Sequence, residues 1–380
     1  MLPNQIIFAE TSVEVSGWIP YWKTAEGISD AENHLDKLDI IHPFSYSVQD
    51  DGTIKDLANM ESRKWRRFIR SARSEGVEVI PTVMWSNGGA MQEILSDDDL
   101  REKHVQNVAD LVDDMNFDGI DIDYEAKRSE TKDFYSMFLK ELKKELGSKT
   151  LTCTVEARTP LDSLYTNVPS VIEYANDYIA IGKYCDIIEI MAYDQGRADI
   201  KLNKSNMGMP YVPVSDVEWV EKVLKLSIDQ GLPKEKIMLA APTYGYEYTV
   251  SVMPQQFAEY KRQWSLSENY GVDTAKEHHI TPTRSGAGEL SFSYFPDDSP
   301  YKIINTLSDL DDVSSADQAA AKALIFANVS GWTIPVNYMT WSDAGAIKEK
   351  FDLASKYGLR GVSLFKIDGG EDQDVWDLID

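Results

Sequence analysis

At 380 residues, with 43% hydrophobic side chains, 9 Trp and 19 Tyr, the chain has material for a large core and a ring-lined cleft, which excludes disorder. Its 63 acidic against 38 basic residues give a formal charge of −25, which repels nucleic acid and anionic membrane surfaces and favours a neutral or cationic partner. No run approaches the roughly 20 apolar residues that span a bilayer, and two cysteines, Cys153 and Cys185, are too few for a disulfide framework.

Residues 1–13 read as an N-terminal tail. The stretch Met1–Ala9 lacks the positive segment and full apolar run of a signal peptide and reads at most as a trimmed remnant of one. From there apolar β-runs alternate with amphipathic helical stripes, the rhythm of a parallel α/β fold. The predicted strands are Ser16–Trp22, Ile40–Val48, Glu78–Trp85, Gly119–Glu125, Thr150–Ala157, Ile187–Asp194, Ile237–Tyr246 and Gly361–Asp368. Between them Leu100, Val108, Leu111, Val112 and Met115 recur at helical spacing, as do Phe134, Met137, Phe138 and Leu142, then Trp219, Val220, Val223 and Leu224. These stripes read as core against a barrel wall. Cys153 and Cys185 fall near adjacent strands; two buried thiols are the favoured reading, with a single bridge left open.

The rhythm breaks after Thr249. Residues 251–340 read as an inserted α+β module, in which Leu290–Phe295 alternates as a strand of a small antiparallel sheet. A helix at Ala346–Tyr357 and the eighth strand lie in 341–380. The fold class is therefore α/β: a (β/α)8 TIM barrel built by 14–250 with 341–380, carrying a small α+β insertion after its seventh strand. One such barrel plus a module accounts for the length.

The segment that carries chemistry is Asp118-Gly119-Ile120-Asp121-Ile122-Asp123-Tyr124-Glu125. On a strand Asp121, Asp123 and Glu125 share one face at steps of about 7 Å, with Ile120, Ile122 and Tyr124 on the other. Unpaired carboxylates in a barrel interior are expensive, so these acids must share protons, find donors or bind a cation. Barrel metal sites draw ligands from several strands, so no metal or cofactor is expected. Proton sharing raises one pKa, and Glu125, nearest the C-terminal mouth, becomes the candidate proton donor. Met191-Ala192-Tyr193-Asp194 ends another strand, and Tyr193 or Asp194 can reach the same mouth. Tyr244 and Tyr246 add polar-tipped rings, and Trp22, Trp85 and Trp341 are candidate stacking surfaces, although as a lone residue each reads more readily as packed core.

These residues resemble glycoside hydrolase family 18, whose acidic motif Asp-x-x-Asp-x-Asp-x-Glu is matched by Asp118, Asp121, Asp123 and Glu125, with Met191–Asp194 similar to its Met-x-Tyr-Asp segment. Gly17–Trp22, His42–Tyr46 and Tyr357–Gly361 look like the bacterial spore cell-wall hydrolases within it. The resemblance implies a retaining, substrate-assisted reaction at a β-1,4 bond next to N-acetylglucosamine, in chitin, its oligomers or peptidoglycan. Glu125 would protonate the leaving oxygen, Asp123 would orient the 2-acetamido group, Asp121 would hold Asp123 through a shared proton, and Tyr193 would bond the acetamido oxygen. Met191, Asp194, Tyr21, Trp22, Trp85, Tyr244, Tyr246 and Phe365 would line the sugar site, and Asp118 would brace the strand. Phe365 stands where members commonly have a Trp, which implies weaker or differently angled stacking. Ser86-Asn87-Gly88-Gly89 matches the family's Ser-x-Gly-Gly. The resemblance further implies a monomer, extracellular or cell-wall associated. The alternative is a non-catalytic, lectin-like sugar binder on the same barrel; those members typically lose the acid that Glu125 supplies here.

Overall fold

The computed structural model of the chain describes residues 13–379. The tail predicted over 1–13 thus lies, but for its last residue, outside the described residues, as does the signal-remnant reading.

Eight parallel strands close on themselves: β1 (Glu14–Pro20), β2 (Ile40–Val48), β3 (Thr82–Trp85), β4 (Gly119–Tyr124), β5 (Thr150–Glu156), β6 (Ile187–Met191), β7 (Ile237–Pro242) and, after the insertion, β13 (Gly361–Phe365). Closure comes from β1, which pairs with β2 on one side and β13 on the other. The insertion is a five-stranded antiparallel sheet of β8 (Gly245–Met253), β9 (Gln256–Leu266), β10 (Thr283–Arg284), β11 (Leu290–Tyr294) and β12 (Ile334–Trp341), in the order β9-β8-β12-β11-β10. Two helices, Glu268–Glu277 and Gln318–Ser330, complete it.

The predicted helical stripes become the outer layer, with the correction that Leu100 and Met137 face solvent rather than the wall, Leu100 in the first turn of its helix and Met137 on the outer side of the next. The helix Asp98–Asp114 starts at Asp97, whose Oδ1 accepts from the amides of Asp99 and Leu100 at 3.0 Å each, and it buries Val105, Val108 and Val112. Lys132–Leu146 buries Phe138, Leu139 and Leu142 against the wall, where Phe138 stacks on Tyr124 with ring centroids 5.5 Å apart. Inside the barrel a separate apolar cluster of Ile40, Ile80, Ile187 and Met238 forms from residues at the starts of their strands, beneath the level of Asp121.

Two expectations are corrected. The seventh barrel strand ends at Pro242 rather than Tyr246, and the insertion begins at Gly245, earlier than residue 251. The run Ile237–Tyr246 joins two strands of different sheets, and the second starts where a Cβ on Gly245 would lie 2.2 Å from the Thr340 carbonyl oxygen, so only glycine fits the pairing with β12. Cys153 and Cys185 are not free thiols but a disulfide, with Cα atoms 6.0 Å apart, linking β5 to the residue that leads into β6.

Candidate active site

Side-chain alternation along β4 sends Asp121 and Asp123 into the barrel and Ile122 and Tyr124 out to the helices. The register continues this across to β3, where Thr82 lies beside Asp121 and Met84 beside Asp123. Glu125 follows at the C-terminal rim, its amide donating to the Trp85 carbonyl at 2.8 Å and its side chain exposed in the mouth. The three acids thus descend from solvent into the core, as the strand pattern requires.

Asp121 is fully buried and fully occupied. Its Oδ1 accepts from Thr154 Oγ1 at 2.8 Å, and its Oδ2 accepts from Thr82 Oγ1 at 2.7 Å and Trp18 Nε1 at 3.3 Å. Burial and then the charge of Glu189 push its carboxyl up to about 6, against the pull of His42 and the two threonine hydroxyls. Beneath it Glu189 Oε1 accepts from Ser16 and Ser363 at 3.0 Å each and lies 3.0 Å from His42 Nε2. Burial lowers the His42 pKa, yet Glu189 above all, with Asp121 and the Ile80 carbonyl, outweighs it and raises it to about 9.

Asp123 is 4% exposed, and its Oδ1 has no hydrogen-bond partner. Burial, then Glu125 and Asp121, hold its carboxyl well above the usual range, with Lys127 opposing. Asp121's oxygens accept from two hydroxyls and an indole, and its charge is one of those that raise Asp123. Glu125 is raised by partial burial and then by Glu156, with Lys127 opposing and Asp194 adding. This corrects the expected cause. The neighbouring charge that raises it most is Glu156, at the end of the next strand, and not Asp123.

Lys127 and Glu156 carry no sequence motif. The Lys127 ammonium is buried, donates to the Tyr124 carbonyl, lies 3.7 Å from Glu156 Oε2, and sits 4.8 Å from the Tyr135 ring centroid. Next to Glu125, Ala126 adopts φ +53°, and its carbonyl approaches Gly88 so closely that a Cβ there would lie 2.2 Å from it. That contact explains the Ser86–Gly89 segment: Asn87 caps the helix Gly88–Ser96, accepting from Gly89 and Ala90 at 3.1 and 3.2 Å, and Gly88 makes room for the turn that presents Glu125.

The remaining predicted residues divide. Tyr193 stacks on Phe365, centroids 5.4 Å apart at 22°, and burial followed by the charges of Asp123, Asp194 and Glu125 holds its hydroxyl protonated. Asp194, at φ +56°, accepts from the hydroxyls of both Tyr244 and Tyr246 at 2.6 Å. Met191 shares the inward parity of Glu189 at the end of β6. Phe365 touches Trp18, Phe44, Tyr193 and Tyr244, and so forms the floor of the mouth; Thr243 N donates to its carbonyl at 2.9 Å. Tyr21 and Trp22 stand half-exposed in the turn after β1, Trp22 edge-on to Phe44 at 5.9 Å. Phe44, missed from sequence, links this outer pair to Phe365.

Trp85, Trp341 and Asp118 lie elsewhere. The Trp85 ring is 3% exposed between Tyr124 and His104, on the outer side of the wall, because only Thr82 and Met84 have the inward parity on β3. Trp341 is buried in the insertion core against Phe292. Asp118 is at the opposite end of β4, where its Oδ2 accepts from Val79 N at 2.9 Å and pairs with Arg73 at 3.3 Å, a brace between strands.

Residues 17–370 match the family model described as Glycosyl hydrolases family 18. The chain is similar to a cortical fragment-lytic enzyme of Bacillus anthracis, 26% identical over 330 residues that make up 85% of this chain and 63% of that one. It spans 56% to 63% of the length of the first curated relatives it matches. Its fold is similar to the crystal structure of the Bacillus cereus spore cortex-lytic enzyme SleL, with a TM-score of 0.69 at 21% identity over 97% of this chain and 74% of that one. A GH18 chitinase from Cycas revoluta, solved in complex with (GlcNAc)4, matches with a TM-score of 0.69 at 13% identity over 96% and 98% of the two chains.

Proposed function

Because the chain belongs to glycosyl hydrolases family 18, we propose that it is a retaining glycoside hydrolase that cleaves a β-1,4 bond next to N-acetylglucosamine with the help of the substrate's own acetamido group. One observation carries the reading: Glu125 is the acid of the motif presented to solvent at the mouth, while Asp123 beneath it is buried with its Oδ1 unpartnered, and burial raises both carboxyls. A buried carboxyl held towards its protonated form is a poor nucleophile, which supports an attacking oxygen supplied by the sugar.

In this reaction Glu125 protonates the leaving oxygen. The acetamido oxygen attacks the anomeric carbon and positive charge grows on the acetamido nitrogen. The unpartnered Oδ1 of Asp123 accepts that N–H, a contact that strengthens as charge develops. Asp121 keeps the barrel interior negative below it, and the protonated Tyr193 hydroxyl donates to the acetamido oxygen. Water then opens the intermediate, with Glu125 as base.

Chitin oligomers and peptidoglycan are the substrate classes, and the relatives named for spore cortex lysis support a cell-wall glycan. An extracellular or wall-associated setting is supported by the Cys153–Cys185 bridge, since such bonds persist in oxidising compartments. No described helix is long and apolar enough to cross a membrane. A single chain contains every residue the reaction uses, which supports action as a monomer. The test is Glu125→Gln on a fluorogenic N-acetylglucosamine oligomer: cleavage is lost and binding kept. Wild-type turnover by this variant overturns the assignment.

A further inference from the structure

Beside Asp194, between the loop after β6 and the insertion, lies a cavity of about 340 Å³ walled by Val212, Tyr246, Tyr248 and Tyr260. Two guanidinium groups border it. Arg262, on β9, lies with Cζ 4.9 Å from the Tyr246 centroid, and Arg197, on the barrel loop, with Cζ 4.7 Å from the Tyr260 centroid. Among the described residues neither forms an ion pair with a carboxylate, although the chain has 63 acids against 38 basic residues. Arg197 Nη1 donates to the Tyr211 carbonyl at 3.1 Å. Tyr260 is itself fixed, its hydroxyl accepting from Tyr211 N at 3.2 Å. The nearest acid, Asp194, is turned to the hydroxyls of Tyr244 and Tyr246.

A guanidinium lying against a ring keeps N–H groups to offer, and a pair of them can bind a carboxylate through charge-assisted hydrogen bonds. A neutral chitin chain offers such a pair only hydroxyl and acetamido oxygens, without the negative charge that strengthens the contact. We infer that this cavity is an anion subsite adjoining the cleavage point, and that it takes a carboxylate carried by the glycan, as on a 3-O-lactyl amino sugar or the short peptide attached to one. The inference rests on the proposed glycosidase reading and narrows its substrate to an acidic wall glycan.

The test measures binding, so it does not depend on turnover. Glu125→Gln protein is titrated calorimetrically with chitotetraose and with an alternating tetrasaccharide of N-acetylglucosamine and N-acetylmuramic acid. The latter is used as the free acid, as its lactyl methyl ester, and with an L-Ala-D-isoglutamine dipeptide on the lactyl group. The free acid or the dipeptide form binds about tenfold more tightly than the ester, the worth of a charge-assisted contact. Adding Arg197→Met and Arg262→Met removes that preference and leaves chitotetraose within about twofold. Dependence on the arginines in the acid arm assigns the lactyl group, and in the dipeptide arm alone the peptide; both support the subsite. Equal binding of acid, ester and dipeptide forms overturns it, as does equal weakening of chitotetraose in the double variant, whose melting temperature is checked alongside. Wild-type hydrolysis of both tetrasaccharides is followed in parallel. Failure to cleave either overturns the glycosidase reading, while the titrations judge the subsite by themselves.

Discussion

The ammonium of Lys127 stands 3.7 Å from Glu156 Oε2, and Asn176 Nδ2 donates to the same oxygen at 2.8 Å. This pair sets opposite pulls on Glu125: Glu156 raises its pKa and Lys127 lowers it. Since the donor works protonated, activity falls as pH rises through the Glu125 pKa. Glu156→Gln therefore moves the alkaline limb of kcat/KM to lower pH, and Lys127→Met moves it to higher pH. Shifts in the same direction for both variants contradict this arrangement.

Gly88 admits the Ala126 carbonyl into space where a Cβ would be 2.2 Å away. Gly88→Ala pushes the turn outward and displaces Glu125, and a shift of about 1 Å at a reacting group is worth roughly 100-fold in rate. We expect kcat of the folded protein to drop by that order while KM changes little, with some fall in melting temperature because a backbone carbonyl has to move. A fall in melting temperature with normal kcat on the remaining folded protein would place the effect in stability alone.

His42 is buried and its pKa is raised from 6.5 to about 9 by Glu189. The folded state binds its proton more tightly than the unfolded chain, so this contribution is fully present below about 6.5 and is lost as pH rises through 9. By linkage it is on the order of 3 kcal/mol. Urea midpoints measured from pH 6 to 10 fall more steeply in the wild type than in His42→Asn, which is weaker throughout. Parallel profiles would remove His42 as the titrating group.

The Cys153–Cys185 bridge closes a separation of 32 residues. Cys153→Ala with Cys185→Ala lowers stability by about 3–4 kcal/mol on the loop-entropy argument. Chemical denaturation reads this directly, and an unchanged midpoint contradicts it.

Much of this was legible from periodicity. Ile40–Val48 coincides with β2, and the alternation of Asp121, Asp123 and Glu125 against Ile122 and Tyr124 holds to the residue. The failures have physical causes. Trp85 is a candidate stacking surface from sequence but packs outward, as its reading as a lone Trp allows: inward parity on β3 belongs to Thr82 and Met84, which the register with β4 fixes and a single strand does not. β7 was overextended because Tyr244-Gly245-Tyr246 continues its apolar pattern into a different sheet. The lone acid in Ile187–Met191 was a usable signal for Glu189, an ionisable group at an inward position in an apolar strand. Lys127, Arg197 and Arg262 left none: Lys127 is placed by Glu156 on the next strand, and the two arginines come together only when the insertion meets the loop after β6.

The central claim is that no carboxylate of the chain attacks the sugar. The most direct measurement compares an N-acetylglucosamine oligomer with the same oligomer bearing a free amine at the sugar whose glycosidic bond is cleaved, with mass spectrometry of the quenched protein. The account predicts that the amine analogue is turned over at least about 1,000-fold more slowly, on the scale of an oriented intramolecular nucleophile, and that no glycosyl group is found on the protein. Comparable rates for the two, or a sugar covalently attached to Asp123, would contradict it.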